Sequence, residues 1–296
     1  MKTELRTTMQ SAGGLIRTST LRRLGFTRRD IEAGLKERSM TRVFRPWVAL
    51  RSAERDAIIA VSHHGRLTNA SALGSYGVWR GLDRAVHVLV PRTDRGAATA
   101  PPVSLEVFVA PEHPTNGVVR HWGGAPPGNR EWRVPPIHAL ASFALTQSAE
   151  MFVAAVDSAL HEKVVKPSDM PELRALLPRR LRRLLDLVDE RSEAGCESLA
   201  RLRLAPLSRS IDIQVQIGPH RVDLLVDGWL IIEIDSEKWH SGTRVADSRR
   251  DTDLIRRGYR IKHFDYSEVI YEWPKVEASI IEMLRNPPAT RPARTA

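Results

Sequence analysis

RVDLLVDGWLIIEIDSEKWH, residues 221–240, decides the reading of the C-terminal third of the chain. Two apolar runs, Val222 to Val226 and Leu230 to Ile234, flank Asp227-Gly228, a dipeptide suited to a tight hairpin turn. Acids interrupt both runs: Asp223 in the first, Glu233 and Asp235 in the second. Carboxylates among apolar neighbours repel one another and are costly to desolvate unless a cation or a hydrogen-bond network holds them. Glu233 and Asp235 are two apart, so a strand places both on one face. Whether Asp223 joins them depends on the turn. A two-residue connection pairs position 223 with 232 and sends Asp223 and Glu233 to opposite faces. A three-residue connection that includes Trp229, or a β-bulge, pairs 223 with 233 and gathers the acids. The first register rules out a metal site here; the second makes one.

Around this hairpin the pattern predicts α-β-β-β-α-β-α. Ser192 is the expected N-cap of a helix carrying Glu197, with Leu199 and Leu202 on its buried side. Ile211, Ile213, Val215 and Ile217 alternate as a strand. A charged helix from Asp247 to Arg257 closes at Gly258, a strand runs from Tyr259 to Phe264, and Val276 to Leu284 forms the last amphipathic helix.

The first fifty residues have the cadence of a winged helix-turn-helix. A short helix, Thr20 to Leu24, ends at Gly25; Thr27 caps a second, Arg28 to Arg38, with Ile31 and Leu35 at helical spacing; Met40 to Leu50 is an extended wing. Arg22, Arg23, Arg28, Arg29, Lys36, Arg38, Arg42 and Arg45 decorate the unit. In such a fold the second helix enters the major groove, which makes Arg28 and Arg29 the base-reading candidates and Arg42 and Arg45 the phosphate contacts. A helical domain with a solvated arginine face is the plainer reading.

Residues 53–166 read as an α+β middle region: helices at Glu54 to His64, Ser71 to Tyr76, Pro135 to Thr146 and Met151 to Val164, and strands at Val86 to Val90, Val103 to Ala110 and Val118 to Trp122. Its scattered histidines, His63, His64, His87, His113, His121, His138 and His161, show no ligand spacing such as H-E-x-x-H and are expected to be core or surface residues. Residues 167–191 form a Leu- and Arg-rich helical connector with Arg179, Arg182 and Arg183 facing outward. The expected domains are therefore 1–52, 53–166, 167–191 and 192–285, with a Pro/Arg/Ala-rich tail, 286–296, expected to be disordered.

The 296 residues carry 45 Lys and Arg against 35 Asp and Glu, a formal net charge of +10. That excess favours a polyanionic partner, most simply DNA, with RNA left open. No apolar run approaches a membrane span, and Met1 to Gly14 lacks the apolar core of a secretory signal, so a cytoplasmic protein without a membrane partner is expected. The single cysteine, Cys196, excludes an internal disulfide and any Cys-based zinc cluster, and reads as a small helical residue rather than a nucleophile.

Glu197, Asp223 and the Glu233-Ile234-Asp235 element, in this order of elements, resemble the PD-(D/E)xK nuclease superfamily. The detail is similar to its very-short-patch repair endonuclease-like branch, through Trp239-His240, Arg249-Arg250-Asp251 and Gly258-Tyr259-Arg260. The resemblance covers about residues 193–284. The N-terminal part more loosely resembles the winged-helix domain of AbiEi-type antitoxins, through Gly14, Thr18, Gly25 and the ribbon from Arg42 to Leu50. Together these imply a multi-domain α/β protein: a winged helix-turn-helix, an α+β middle, and a restriction-endonuclease-like α/β/α domain with a mixed central sheet.

The resemblance implies that Asp223 and Glu233 coordinate Mg2+ (or Mn2+), with Glu197 and Asp235 assisting directly or through water. It gives His240 the proton-transfer or phosphate-contact role and Arg250 the positioning of a phosphate. Asp251 is expected to cap the helix or pair with an arginine. The chain departs from the superfamily where a lysine is usual: that position is Asp235, and Lys238 or His240 would have to supply the positive group. The repair enzymes' zinc-binding cysteines are also missing, so mismatch repair does not follow. Two functions compete. One is a DNA-binding, magnesium-dependent endonuclease; the other is an antitoxin-like transcriptional regulator with a catalytically degenerate nuclease fold. A homodimer, or a toxin-type partner under the second reading, would complete the set of partners.

Overall fold

The computed structural model describes residues 2–93, 105, 108, 117–124, 126, 128, 130–235, 244–289 and 292, with residues 244–247 described as backbone only. All of the expected strand at Val103 to Ala110 but Leu105 and Phe108, the Trp239-His240 pair and most of the tail's end lie outside the described residues. In chain order the elements begin α1 Thr3–Ser11, β1 Leu15–Arg17, α2 Thr18–Arg23, α3 Arg28–Lys36, β2 Thr41–Phe44, β3 Trp47–Ala49, α4 Arg55–Ser62 and β4 Arg66–Leu67. They continue α5 Asn69–Ser75, β5 Val86–Val90, β6 Val118–Trp122, α6 Pro136–Phe143, α7 Ala149–His161 and α8 Met170–Leu176. The last are α9 Gly195–Leu204, β7 Ile211–Ile217, β8 His220–Val226, β9 Leu230–Asp235, α10 Arg244–Arg256, β10 Arg260–Asp265, α11 Tyr266–Tyr271 and α12 Trp273–Arg285. The protein is thus a mixed α/β chain, with three sheets among the described residues. No helix among the described residues is long and apolar enough to cross a membrane.

Packing divides the chain into two units, one of residues 1–147 and 164–179, the other of 148–163 and 180–296. This differs from the expected boundary at residues 167–191. The helix at 149–161 belongs with the C-terminal elements, because α7 packs on α9. Asp157 of α7 is fully buried between them, where its carboxylate accepts from Ser198 Oγ at 2.7 Å, the Asp189 amide at 2.7 Å and Arg201 Nη2 at 2.9 Å.

In the first unit α2 and α3 lie where a helix-turn-helix was expected, and β2 and β3 form the following hairpin, joined by β1 in a sheet of order β1-β3-β2. The sequence reading missed α1 and β1. Both complete the core: Leu5 and Met9 of α1 and Ile16 of β1 pack with Leu21, Ile31, Met40, Val48 and Leu50. Thr27 caps α3 as expected, its hydroxyl accepting from the Asp30 amide while Asp30 accepts from the Thr27 amide. A second sheet, β4-β5-β6, follows. His87 of β5 is buried there, with Nε2 2.9 Å from Asp83 and Nδ1 2.8 Å from His121 Nε2, a hydrogen-bonded chain that accounts for two of the scattered histidines. The connector is a short α-helix, α8, and a 3-10 stretch, Arg179–Leu187, with Arg179 and Arg183 exposed and Arg182 half-buried.

In the second unit the order expected for residues 192–285 is observed, with α11 added between β10 and α12. The sheet runs β10-β9-β8-β7, antiparallel except where β10 lies parallel to β9. Leu224, Val226, Leu230 and Ile232 are buried in its centre. Ser192 does not cap α9. That helix starts one turn's fraction later with Ala194 at its N-cap, and buried Ser192 instead accepts from the Ser198 hydroxyl.

Candidate active site

The turn that decides the acids' register is irregular in the required sense. Asp227 and Gly228 take φ values of +52° and +74°, and the Trp229 amide donates to the Val226 carbonyl at 3.2 Å. A two-residue turn would resume pairing there. Instead the ladder resumes with Val226 opposite Leu230, so Trp229 is the extra residue. Two features hold it out of the ladder: its buried side chain, 1% exposed, and its carbonyl, which accepts from the Arg260 amide of the parallel neighbour at 3.0 Å. Asp227 fixes the loop from the other side by accepting from the Arg209 and Ser210 amides.

Leu224 therefore faces Ile232, and one step further the same register sets Asp223 beside Glu233. Asp223 Oδ2 accepts from the Ile234 amide at 3.0 Å, and the Asp223 and Glu233 carboxyls are hydrogen-bonded to each other. On the other side, the pairs Ile213 with Leu224 and Val215 with Val222 place Gln214 opposite Asp223. His263 of β10 faces Glu233 across the parallel pair. Gln214, Asp223, Glu233 and His263 thus form a row crossing all four strands on one face.

Glu197 reaches this row from the first turn of α9. It is 7% exposed, and its Oε2 accepts from Gln214 Nε2 at 3.0 Å and from the Glu193 amide at 3.0 Å. Arg250 reaches it from α10, with Nη2 2.6 Å from Glu233 Oε1 and 2.6 Å from the Arg221 carbonyl. Burial, then the charge of Asp223, pushes the Glu197 carboxyl up to about 7 and that of Glu233 up to about 8. Burial also raises Asp223 itself. The neighbouring thiol of Cys196 is pushed by burial up to about 12, which fits the expectation that it is no nucleophile.

The structure thus brings together Glu197, Asp223, Glu233 and Arg250. Asp235 shares their face by strand alternation but stands at its exposed edge, its side chain 56% exposed and 3.7 Å from His263 Nδ1. His240 lies outside the described residues. Among the described residues Asp251 pairs with neither an arginine nor a cap: its Oδ2 lies 3.1 Å from His263 Nε2, while its buried Oδ1 has no hydrogen-bond partner among them. Arg250, expected to face a phosphate, is bound to the site's own Glu233. Sequence reasoning missed Gln214 and His263. Neither belongs to a local motif; only the sheet register, Gln214 through its left-handed backbone at φ +53°, aligns them with the acids.

Oxygen donors are the correct chemistry for a hard cation such as Mg2+, which often takes one or two carboxylates and completes its shell with water. Asp223 and Glu233 side by side supply that minimum, and a dication would offset the burial that raises both. Among the described residues, however, no group of three or more His, Cys, Asp or Glu side chains is arranged to hold a metal ion. Arg250 is bonded to one of the two acids. In the N-terminal unit, Arg28, Arg29, Arg42 and Arg45 are all exposed, with Arg28 Nε 2.7 Å from Glu32 of the same helix. A surface pair of that kind is readily exchanged for a phosphate.

A carboxyl whose folded pKa is raised contributes stability that is full below its unfolded value, here 4.5 for glutamate, and that is lost as pH rises through the folded value. The metal-free protein is therefore expected to lose stability from about pH 4.5 to above pH 8. Asp157, raised by burial to about 6, acts in the same direction over the lower part of that range. Urea unfolding at a series of pH values measures it. Glu233→Gln, fixed in the neutral form, should flatten the fall between pH 6 and 8.5; an unchanged slope would show that Glu233 is ionised throughout.

A scan against protein-family models and a search of curated proteins return no match for this chain.

Proposed function

We propose that this is a DNA-binding protein whose C-terminal unit hydrolyses DNA phosphodiester bonds with a divalent metal, Mg2+ or Mn2+. The observation that carries the reading is the three-residue connection at Asp227, Gly228 and Trp229, which sets half-buried Asp223 against buried Glu233. Two apolar strands have no structural reason to bury facing acids, and the cost of doing so points to a ligand. Glu197 above them, and the α-β-β-β-α-β order, support the restriction-endonuclease-like class. The α2–α3 pair with its hairpin supports a winged helix-turn-helix that docks DNA through Arg28, Arg29, Arg42 and Arg45.

Asp223 and Glu233 would hold the metal, with Glu197 bonding through Gln214 or water. The metal would supply Lewis acidity at the scissile phosphate and activation of water. The protein's own part is positioning. The Ile234 amide fixes Asp223, Gln214 and the Glu193 amide fix Glu197, and the burial of Glu197 and Glu233 keeps bulk water from screening the reacting charges. Asp251 orients His263, whose other nitrogen faces Asp235 at the open edge, so His263 joins His240 as a candidate for proton transfer.

Supercoiled plasmid incubated with the protein and Mg2+ tests the proposal. Nicking or linearisation is expected, abolished by EDTA and reduced at least about 10²-fold by Asp223→Ala or Glu233→Ala. Cleavage that survives Glu233→Ala would assign the activity to another site or to a contaminant. One observation favours the second reading, an antitoxin-like regulator: Asp235 replaces the usual lysine while Arg250 neutralises Glu233. Tight operator binding with no magnesium-dependent cleavage would select it.

A further inference from the structure

The Glu233 carboxyl already has two partners. Oε1 accepts from Arg250 Nη2, and the carboxyl is also hydrogen-bonded to Asp223. Arg250 is pinned by a second bond from the same nitrogen, to the Arg221 carbonyl on β8, so its guanidinium bridges the two central strands beside the acid pair. Its side chain keeps 26% of its surface exposed, against 9% for Glu233, so it borders the solvent side of the cluster. A divalent cation at Asp223 and Glu233 would compete with Arg250 for the same carboxylate. Two cations bound within a few ångströms of one carboxylate repel strongly in a partly desolvated site.

Resting on the nuclease reading above, we infer that Arg250 is the place-holder for the metal: its guanidinium and a divalent cation are alternative partners of Glu233. In the metal-free protein Arg250 keeps the acidic cluster folded. Metal entry releases it toward the open side, where a planar guanidinium is suited to a phosphate oxygen. This gives one residue two positions and accounts for an arginine bonded to an acid in a site that otherwise has the donors for Mg2+.

Calorimetric titration of the full chain with MnCl2 tests it without reference to activity. Arg250→Met should bind Mn2+ about tenfold more tightly than wild type, because a charge-assisted bond no longer competes. Arg221→Met removes an equal charge nearby, from a side chain paired with Glu193 and not with Glu233, and should change the affinity less than about threefold. Equal tightening in both variants would reduce the effect to long-range attraction and overturn the inference. So would wild-type binding with no gain in Arg250→Met. No Mn2+ binding by wild type or by Arg250→Met would instead remove the metal site, and with it the nuclease reading. Should Arg250→Met fail to fold, the wild-type Nε–Hε resonance of Arg250 decides. It should shift on Mg2+ saturation, and an unmoved resonance refutes the exchange.

Discussion

Trp229→Ala is expected to destabilise the C-terminal unit by about 3–5 kcal/mol, the usual cost of truncating a fully buried aromatic residue. Trp229 is the extra residue of the β8–β9 connection and is 1% exposed. Its loss opens a cavity at the place that sets the register of the acids. Urea denaturation followed by circular dichroism measures the effect, and a loss below about 1 kcal/mol would show that the loop, and not the indole, holds the register. Deleting Trp229 is a harsher case with a different outcome. The connection then falls to two residues, β9 slips by one, and Glu233 exchanges faces with Ile232 and Ile234. That variant should not yield a cooperatively folded C-terminal unit.

Asp157→Ala should cost a similar amount, about 3–5 kcal/mol, because it strands buried partners rather than leaving a large cavity. Arg201, whose side chain is 15% exposed, loses its counter-charge, and the Ser198 hydroxyl and the Asp189 amide lose an acceptor. Asp157→Asn retains an acceptor and should cost distinctly less. If Ala and Asn behaved alike, the carboxylate's charge on Arg201 would be the dominant contribution. If both were near neutral, α7 would not be anchored to α9 through this residue.

Local pattern made much of the C-terminal half legible. Alternating apolar residues marked β7, the acid-bearing runs marked β8 and β9, and Gly258 marked the end of α10. The turn at residues 227–229 could be posed as a choice between two registers but not resolved. Asp-Gly alone supports the two-residue form, and what tips the balance is distant: the burial of Trp229 and the Arg260 amide on its carbonyl. Arg250 was expected at the site, but its bond to Glu233 was not, since helix periodicity says nothing of what faces the helix. His263 was invisible for the same reason, a parallel strand with no turn to fix its register. At the other end, α1 went unread because its apolar positions, Leu5 and Met9, are too few to show a period. The helix at 149–161 was read correctly and assigned to the wrong neighbour, because its anchor, Asp157, finds its partners more than thirty residues away.

The row of Gln214, Asp223, Glu233 and His263 runs across the strands, not along one of them. Adjacent strands lie about 4.8 Å apart, so the row spans roughly 14 Å, its members held in line by the ladders between the strands. The two acids stand on the central strands, where exposure requires the ladders on both sides to open. The amide and imidazole stand on the sheet's outer strands, which open first. Chemistry at the centre and adjustable polar groups at the rim follow from strand order alone, so changes at Gln214 or His263 would retune the site without unfolding what holds its acids.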